Sequence, residues 1–334
     1  MPDDSTRARL FSGIPLETDM STYLVHGKTF DERWDYGHHI IPPMSANVTY
    51  RLDSAERGAC GFQDFAAAAA HKHEPIFIYD RLDEPTRSML EDNLARAEGG
   101  DCCTAYTTGM AAISAAIGVC VQAGDHVLCH QAVYGCTYSL LTLWLKRFGV
   151  EADFVDFRDE AAVRAATKAT TRVLYCESPV NPTLEVIDIA MLRRVADDLN
   201  AKHEPDERPA RVVIDNTFAT PYGQRPLAHG ADIVCHSLTK NIGGFGTDMG
   251  GAVIAKEELE GDFLVWRKDF GGAMASRVAW NILVYGLPTL PLRLRKQCES
   301  ALKVAKWLET QPQVARVVYP GLESFAEREV AMRQ

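Results

Sequence analysis

Residues 211–240 read RVVIDNTFATPYGQRPLAHGADIVCHSLTK, and this stretch decides the fold class. It contains two short runs rich in β-branched residues, Arg211-Val-Val-Ile-Asp215 and Asp232-Ile-Val-Cys235, separated by a longer connection. Similar runs alternate with helical stretches elsewhere in the chain, at His126–His130, Ala152–Asp156, Arg172–Glu177 and Gly251–Ala255. Because strand, helix and strand follow one another, we predict an α/β fold with a mainly parallel sheet covered by helices on both faces.

The composition is that of a globular protein with a large core, since 46% of the 334 residues are hydrophobic and 24% are charged. Lys and Arg number 35 and Asp and Glu number 45, and the resulting net charge of −10 argues against nucleic acid and anionic membranes as partners. The longest apolar stretch, Met110–Val121, is too short to cross a bilayer, and residues 1–12 lack a signal-peptide core. We therefore predict a cytoplasmic protein.

The nine cysteines are odd in number and form no CxxC pair, so the sequence predicts neither a disulfide framework nor a metal site.

Three parts are expected along the chain. Residues 1–75 are irregular and resemble an arm, residues 76–270 form the α/β domain, and residues 271–334 begin a second, helical domain. A helix is predicted over Thr86–Glu98, ending at Gly99. The second domain is predicted to be incomplete, because the chain stops without a C-cap signal; its amphipathic face comprises Ala301, Val304, Ala305 and Leu308.

Lys240 lies just past the run that ends at Cys235, flanked by Ser237 and Thr239 and followed by glycines. Desolvation favours the neutral, nucleophilic amine that a Schiff base requires, and the two hydroxyls can donate hydrogen bonds to a phosphate. The alternative is a flexible surface lysine in a glycine turn, which is the more common reading of such a motif taken alone.

Two further segments fit an anionic ring cofactor. Thr107-Thr108-Gly109-Met110 opens an apolar helix predicted to run to Val121, whose first N–H groups can bind an anion, although a plain threonine N-cap explains it equally well. Asp215 ends its run at the ligand-binding edge of a parallel sheet, where a carboxylate can pair with a pyridinium nitrogen. Its alternative role is the first residue of a turn.

Asn181 stands between two prolines and Tyr134 follows the run His126–His130. The asparagine can hydrogen-bond a ring substituent and the tyrosine can stack on a ring, whereas a proline-rich turn and a half-buried tyrosine are the ordinary alternatives. All these groups follow the same ends of consecutive strands. That coincidence favours a single ligand site.

Five motifs, in this order, resemble the Cys/Met-metabolism family of pyridoxal-phosphate (PLP) enzymes, which includes cystathionine synthases and lyases, methionine γ-lyase and O-acetylhomoserine sulfhydrylase. They are Thr108–Ile113, Tyr134–Thr137, Glu177–Thr183, Val213–Tyr222 and Gly230–Lys240. The similarity runs from about Tyr23 to Gln334. It implies the fold type I architecture, like that of aspartate aminotransferase, with residues 76–270 as the PLP-binding domain.

The resemblance also implies roles for individual residues. Lys240 carries the cofactor as a Schiff base and moves protons, Asp215 pairs with the pyridine nitrogen, and Tyr134 stacks on the ring and assists proton transfer. Asn181 contacts the ring hydroxyl. The phosphate is held by Gly109, Met110, Ser237 and Thr239.

In this family a Tyr-x-Arg pair from the neighbouring subunit also reaches the phosphate, and here it corresponds to Tyr79 and Arg81. The resemblance therefore implies a homo-oligomer, an obligate dimer that is usually doubled to a tetramer, with residues 1–75 as the intersubunit clasp. The arginine that binds the substrate carboxylate in this family is expected beyond Gln334.

The sequence departs from the family pattern at Glu84, where asparagine is usual, at Asn241, where an aromatic residue is common, and at Phe245, where histidine is usual. Cys136 resembles methionine γ-lyase and marks a possible substrate pocket, although it can also be a packing residue. The segment Gly244-Phe-Gly-Thr247 resembles O-acetylhomoserine sulfhydrylase instead.

The expected activity is a PLP-dependent elimination or γ-replacement on a sulfur amino acid or an activated homoserine, with γ-lyase slightly favoured. O-Acetylhomoserine sulfhydrylase and cystathionine synthase or lyase are the alternatives. From a different class, a non-catalytic binding or regulatory subunit that keeps the PLP fold is also considered. A nicotinamide-binding protein fits poorly, because no GxGxxG follows the first strand.

Overall fold

The computed structural model describes residues 20–26, 39–63, 65, 77–204 and 206–334. The chain divides into two compact units, of which the first comprises Met1–Ala111 and Ser237–Pro291, and the second Ala112–His236 and Leu292–Gln334. The predicted three-part division into 1–75, 76–270 and 271–334 stays a prediction.

The regular elements are numbered in chain order over the described residues. The α-helices are α1 (Met20–His26), α2 (Ala55–Gln63), α3 (Pro85–Glu98), α4 (Gly109–Gly118), α5 (Gly135–Ser139), α6 (Glu160–Ala166), α7 (Ile189–Asn200), α8 (Thr220–Gly223), α9 (Glu260–Phe270), α10 (Ser276–Asn281), α11 (Leu287–Glu309) and α12 (Arg328–Arg333). The strands are β1 (Cys102–Tyr106), β2 (His126–His130), β3 (Glu151–Val155), β4 (Thr171–Glu177), β5 (Arg211–Asp215), β6 (Ile233–Ser237) and β7 (Gly251–Ala255). Short π-helical turns occur at Leu140–Trp144 and Ile282–Gly286.

The second unit contains a parallel sheet in the strand order β3-β2-β4-β5-β6. The apolar residues of β4 and β5, from Val173 to Cys176 and from Val212 to Ile214, are fully buried. Such uninterrupted apolar runs are typical of parallel strands that are covered on both faces. The predicted mainly parallel α/β fold is thus confirmed, and it aligns Glu177 with Asp215 in register at the ends of β4 and β5.

In the first unit, β1 and β7 pair antiparallel with Tyr106 opposite Gly251. A Cβ atom on Gly251 would lie 2.1 Å from the Thr108 carbonyl oxygen, so this close approach requires glycine. The adjacent helix α3 ends where the sequence predicts, at Gly99, whose φ of 78° is the left-handed conformation that glycine adopts readily.

The structure differs from the sequence prediction in several places. Helices α1 and α2 lie within residues 1–75, which were predicted to be irregular, whereas the alanine run at 66–70 is outside the described residues. Helix α4 ends at Gly118 and not at Val121. In α11, Ala305 is buried but Val304 is 54% exposed, so the four predicted positions do not form one buried face.

No helix in the described part of the chain has the length and apolar character needed to cross a membrane.

Candidate active site

Asp215 ends β5 as a buried carboxyl group, 8% exposed. Its Oδ1 accepts a hydrogen bond from the Thr217 backbone N–H at 2.9 Å, which holds the side chain at the strand end. Burial raises the pKa of Asp215 because the charged form loses hydration. The sequence prediction of a carboxylate at this edge of the sheet therefore agrees with where the structure places it.

Glu177 ends the adjacent strand β4 and is only 5% exposed. Its Oε1 accepts from the backbone N–H of Tyr134 at 2.6 Å, and its Oε2 accepts from the backbone N–H of Asn181 at 3.0 Å. Burial, reinforced by the nearby Asp215, raises the pKa of Glu177 to about 7. One carboxylate thus links two residues that the sequence predicts to contact the cofactor.

Tyr134 precedes the short helix α5 and is 45% exposed, as a ring that stacks on a ligand must be. The nearby Cys136 is also exposed. Interaction with Cys136 raises the pKa of Tyr134. The phenol, whose usual pKa is about 10, is protonated at neutral pH with or without this shift.

Gly109 begins helix α4 in the first unit and faces Ser237, the last residue of β6. A Cβ atom on Gly109 would lie 2.8 Å from the Ser237 Cβ, so the backbone passes unusually close to this side chain. The hydroxyl of Thr108 accepts from the Ala111 N–H at 3.0 Å. The N–H groups of Gly109 and Met110 have no acceptor in their own helix, as is general for a first helical turn.

Lys240 lies in the turn that follows β6, and its side chain is exposed. In the same turn, the Thr239 hydroxyl accepts from the Gly250 N–H at 3.1 Å, which ties the lysine-bearing segment to the residue before β7. The sequence prediction that Lys240 follows a strand end is confirmed by the position of β6.

Tyr79 and Arg81 lie side by side on the surface of the first unit, with the guanidinium carbon 5.5 Å from the ring centroid. Arg81 donates a hydrogen bond to the Lys268 carbonyl oxygen. The residue between them, Asp80, accepts at 2.9 Å from the fully buried Arg87, which also donates to the Met274 carbonyl oxygen at 2.8 Å. The pair is therefore presented from an anchored segment.

Glu84, one of the departures from the family pattern, caps the N-terminus of α3. Its carboxylate accepts from the Thr86 N–H at 2.9 Å and from the Arg87 N–H. The residue is fully buried, and burial raises its pKa to about 7. The capping role that asparagine commonly plays is here performed by a carboxylate at the cost of desolvation.

The residues present fit pyridoxal phosphate. Gly109, which has no side chain, lies against Ser237 at a helix N-terminus, a setting suited to a phosphate. Two buried carboxyls with raised pKa values, Asp215 and Glu177, end adjacent strands, and a pyridinium N–H would stabilise the charged form of such a group.

Each unit brings together part of the predicted set. In the first unit Gly109 lies against Ser237, and Tyr79 against Arg81. In the second unit a single side chain, Glu177, joins Tyr134 to Asn181 through their backbones. Glu177 has no predicted role, since in the sequence it stands only within the motif Glu177–Thr183. Its position at a strand end, like that of Asp215, is the feature of the sequence that could have indicated a role in the site.

Comparison with known proteins gives consistent matches over most of the chain. The sequence profile of the Cys/Met metabolism PLP-dependent enzymes matches residues 21–334. The L-methionine gamma-lyase of Treponema denticola is 38% identical over 296 residues, which make up 88% of this chain and 70% of that protein. The O-succinylhomoserine sulfhydrylase of Pseudomonas aeruginosa is 38% identical over 269 residues, or 80% of this chain and 64% of that protein.

The fold comparison agrees with the sequence comparison. The crystal structure of metB from Corynebacterium glutamicum matches with a TM-score of 0.84 and 31% sequence identity, over 96% of this chain and 77% of that one.

Proposed function

The chain belongs to the Cys/Met metabolism PLP-dependent enzymes, as a PLP enzyme of the transsulfuration group, and we propose that within this group it is a γ-lyase acting on methionine or a similar sulfur amino acid. The predicted family, enzyme class and cofactor are confirmed. The non-catalytic alternative is set aside, because the relatives are lyases and synthases.

Bound pyridoxal phosphate supplies an electron sink for negative charge at the substrate α-carbon. Lys240 is the residue proposed to hold it covalently and to move protons between substrate carbons, and its place directly after the end of β6 supports this role. Asp215 is proposed to pair with the ring nitrogen, supported by its burial at the end of β5. Asn181 is proposed to contact the ring hydroxyl.

Phosphate binding is assigned to the N–H groups of Gly109 and Met110 and to the hydroxyls of Ser237 and Thr239. The contact between Gly109 and Ser237 supports this assignment. Tyr79 and Arg81 are proposed to serve the phosphate of a neighbouring subunit, which requires a homo-oligomer, either a dimer or a tetramer.

The segment Tyr134-Gly-Cys136, which resembles methionine γ-lyase, and the similarity to the L-methionine gamma-lyases support the preference for a γ-lyase. Elimination from Cγ expels a thiolate, and a phenol that remains protonated can donate the proton that this group needs. The Tyr134 phenol is protonated at neutral pH and is proposed to supply that proton. Cys136 itself then lines the substrate pocket beside the catalytic tyrosine.

Incubation with methionine tests the proposal. The protein, loaded with pyridoxal phosphate, is expected to release methanethiol and 2-oxobutanoate, and the variant Lys240→Ala is expected to release neither. A loaded protein that yields no thiol from methionine, but makes homocysteine from O-acetylhomoserine and sulfide, would show that the γ-lyase assignment is wrong.

O-Acetylhomoserine sulfhydrylase is the second candidate. The loop Gly244-Phe-Gly-Thr247 favours it, and so does the similarity to the Pseudomonas aeruginosa sulfhydrylase. Cystathionine synthase or lyase activity stays a further alternative within the same chemistry. Parallel assays with the respective substrates separate the three.

The cytoplasmic location also stays a prediction. All nine cysteines are free thiols, which is typical of a reducing compartment. Fractionation of the source cells, with immunodetection of the chain, would check it.

A further inference from the structure

Glu177 binds two segments of the second unit at once. The carboxylate gives one oxygen to the Tyr134 N–H and the other to the Asn181 N–H, across 43 and 4 residues of sequence respectively. Hydrogen bonds to an ionised acceptor are shorter and stronger than those to a neutral one. The 2.6 Å distance at Tyr134 is of this short kind.

A buried carboxylate at this position is energetically unfavourable. Glu177 is 5% exposed, its two backbone partners are neutral, and Asp215 stands in register with it on the next strand. Burying a charged group without a counter-ion is unfavourable. A neutral side chain would cost less, but an amide has an oxygen at only one of the two positions and an NH2 at the other, so in this arrangement it could not accept from both N–H groups.

We propose that Glu177 is a positioning residue, which fixes Tyr134 and Asn181 relative to each other by accepting one backbone N–H from each. This inference rests on the proposed function, in which these two residues contact the cofactor ring. Glu177 acts through them, since each of its two oxygens accepts a backbone N–H of one of these residues. A shift of either segment would misplace the stacking ring or the amide, and small misplacements strongly reduce rates.

The variant Glu177→Gln tests this assignment while preserving size. Its side-chain NH2 would face a backbone N–H, donor against donor, so one of the two links is lost. The matched control is Glu185→Gln, since Glu185 lies on the same connection but accepts from His130 and Thr183 instead. Measurements are the cofactor dissociation constant from absorbance titration, kcat and KM for methionine, and the unfolding midpoint without cofactor.

We expect Glu177→Gln to raise the cofactor dissociation constant at least tenfold and to lower kcat by a similar factor, with KM nearly unchanged. The Glu185→Gln control should match the native protein in all three. A Glu177→Gln protein that binds cofactor and turns over like the native chain overturns the positioning role. If the native chain itself takes up no pyridoxal phosphate, the proposed function fails together with this inference.

Combination with Tyr134→Phe separates positioning from a merely structural effect. If Glu177 aims the Tyr134 hydroxyl, the kcat loss caused by Glu177→Gln should shrink once that hydroxyl is gone. Losses that simply multiply would contradict the inference. Should Glu177→Gln not fold, amide hydrogen exchange on the native protein decides: both the Tyr134 and Asn181 N–H groups must be protected, and rapid exchange at either overturns the link.

Discussion

Gly109 faces Ser237 so closely that a Cβ atom on the glycine would lie 2.8 Å from the serine Cβ and 3.1 Å from its Cα. The first atom belongs to a short side chain and the second to the backbone of β6, so neither can move aside easily. The contact therefore fixes the start of α4 against the end of β6, which is where the phosphate is proposed to bind.

Replacement of Gly109 by alanine is expected to destabilise the chain by about 1–3 kcal/mol through overpacking. It should also weaken cofactor binding more than tenfold, because relief of the clash moves the helix N-terminus away from Ser237. Urea denaturation and absorbance titration measure the two effects. The control is Gly223→Ala, where the nearest atom to a new Cβ is 3.5 Å away; equal effects at both glycines would contradict the prediction.

The buried Asp215 is expected to favour cofactor binding at the expense of stability. Asp215→Asn keeps the shape and an acceptor for the Thr217 N–H, but removes a charge whose burial is unfavourable. Without cofactor, this variant should be at least as stable as the native chain at pH 8, whereas its activity should fall by about 100-fold or more. Thermal unfolding and the methionine assay measure both. A variant that is less stable than the native chain but keeps its activity would contradict the proposed pairing of Asp215 with the ring nitrogen.

Glu84 should make stability depend on pH. Its native pKa of about 7 lies above the usual 4.5, so the folded state holds the proton more tightly than the unfolded state between these values. The contribution of Glu84 to the free energy of unfolding is therefore greatest below pH 4.5 and decreases as pH rises through 7, by about 3 kcal/mol in all.

Urea titrations of the cofactor-free protein at several pH values between 5 and 8 measure this effect. The variant Glu84→Gln cannot ionise and should show a flatter dependence over the same range. Parallel pH curves for the native and variant proteins would mean that Glu84 does not titrate in this window.

The proposed sharing of sites between subunits predicts complementation. Arg81→Ala and Lys240→Ala should each be nearly inactive. The first variant lacks the arginine proposed to bind the phosphate of the neighbouring subunit, and the second cannot bind the cofactor covalently. Mixed and reassembled as dimers, they should recover about a quarter of native activity, since half of the dimers are mixed and each has one intact site. Size-exclusion chromatography verifies the assembly. No recovery in verified mixed dimers would place Arg81 in its own subunit's site.

Much of the parallel fold was readable from the sequence, because β2 and β5 are short β-branched or apolar runs bounded by polar residues. The strand β1 was not predicted. Its sequence, Cys-Cys-Thr-Ala-Tyr, has a single β-branched residue and no alternation, and it is fully buried against β7 and α3 by tertiary pairing. Helix α2 was not predicted either, because two glycines interrupt its sequence.

The candidate site was predictable wherever a side chain carries the chemistry, as with Lys240 and Asp215. Those parts of the site that depend on backbone N–H groups were not predictable. The link from Glu177 to Tyr134 spans 43 residues and uses an N–H that every residue but proline has, so no residue type at position 134 reveals it.

Because Glu177 holds main-chain groups, its links do not depend on which side chains occupy positions 134 and 181. Substitution there can alter what the site recognises or protonates while the loops keep their places. The chemistry of such a site can change during evolution, since a substituted side chain is attached to a backbone whose position is unchanged. Substitutions at 134 and 181 should therefore leave the backbone of these two segments in place, whereas substitution at 177 should displace it.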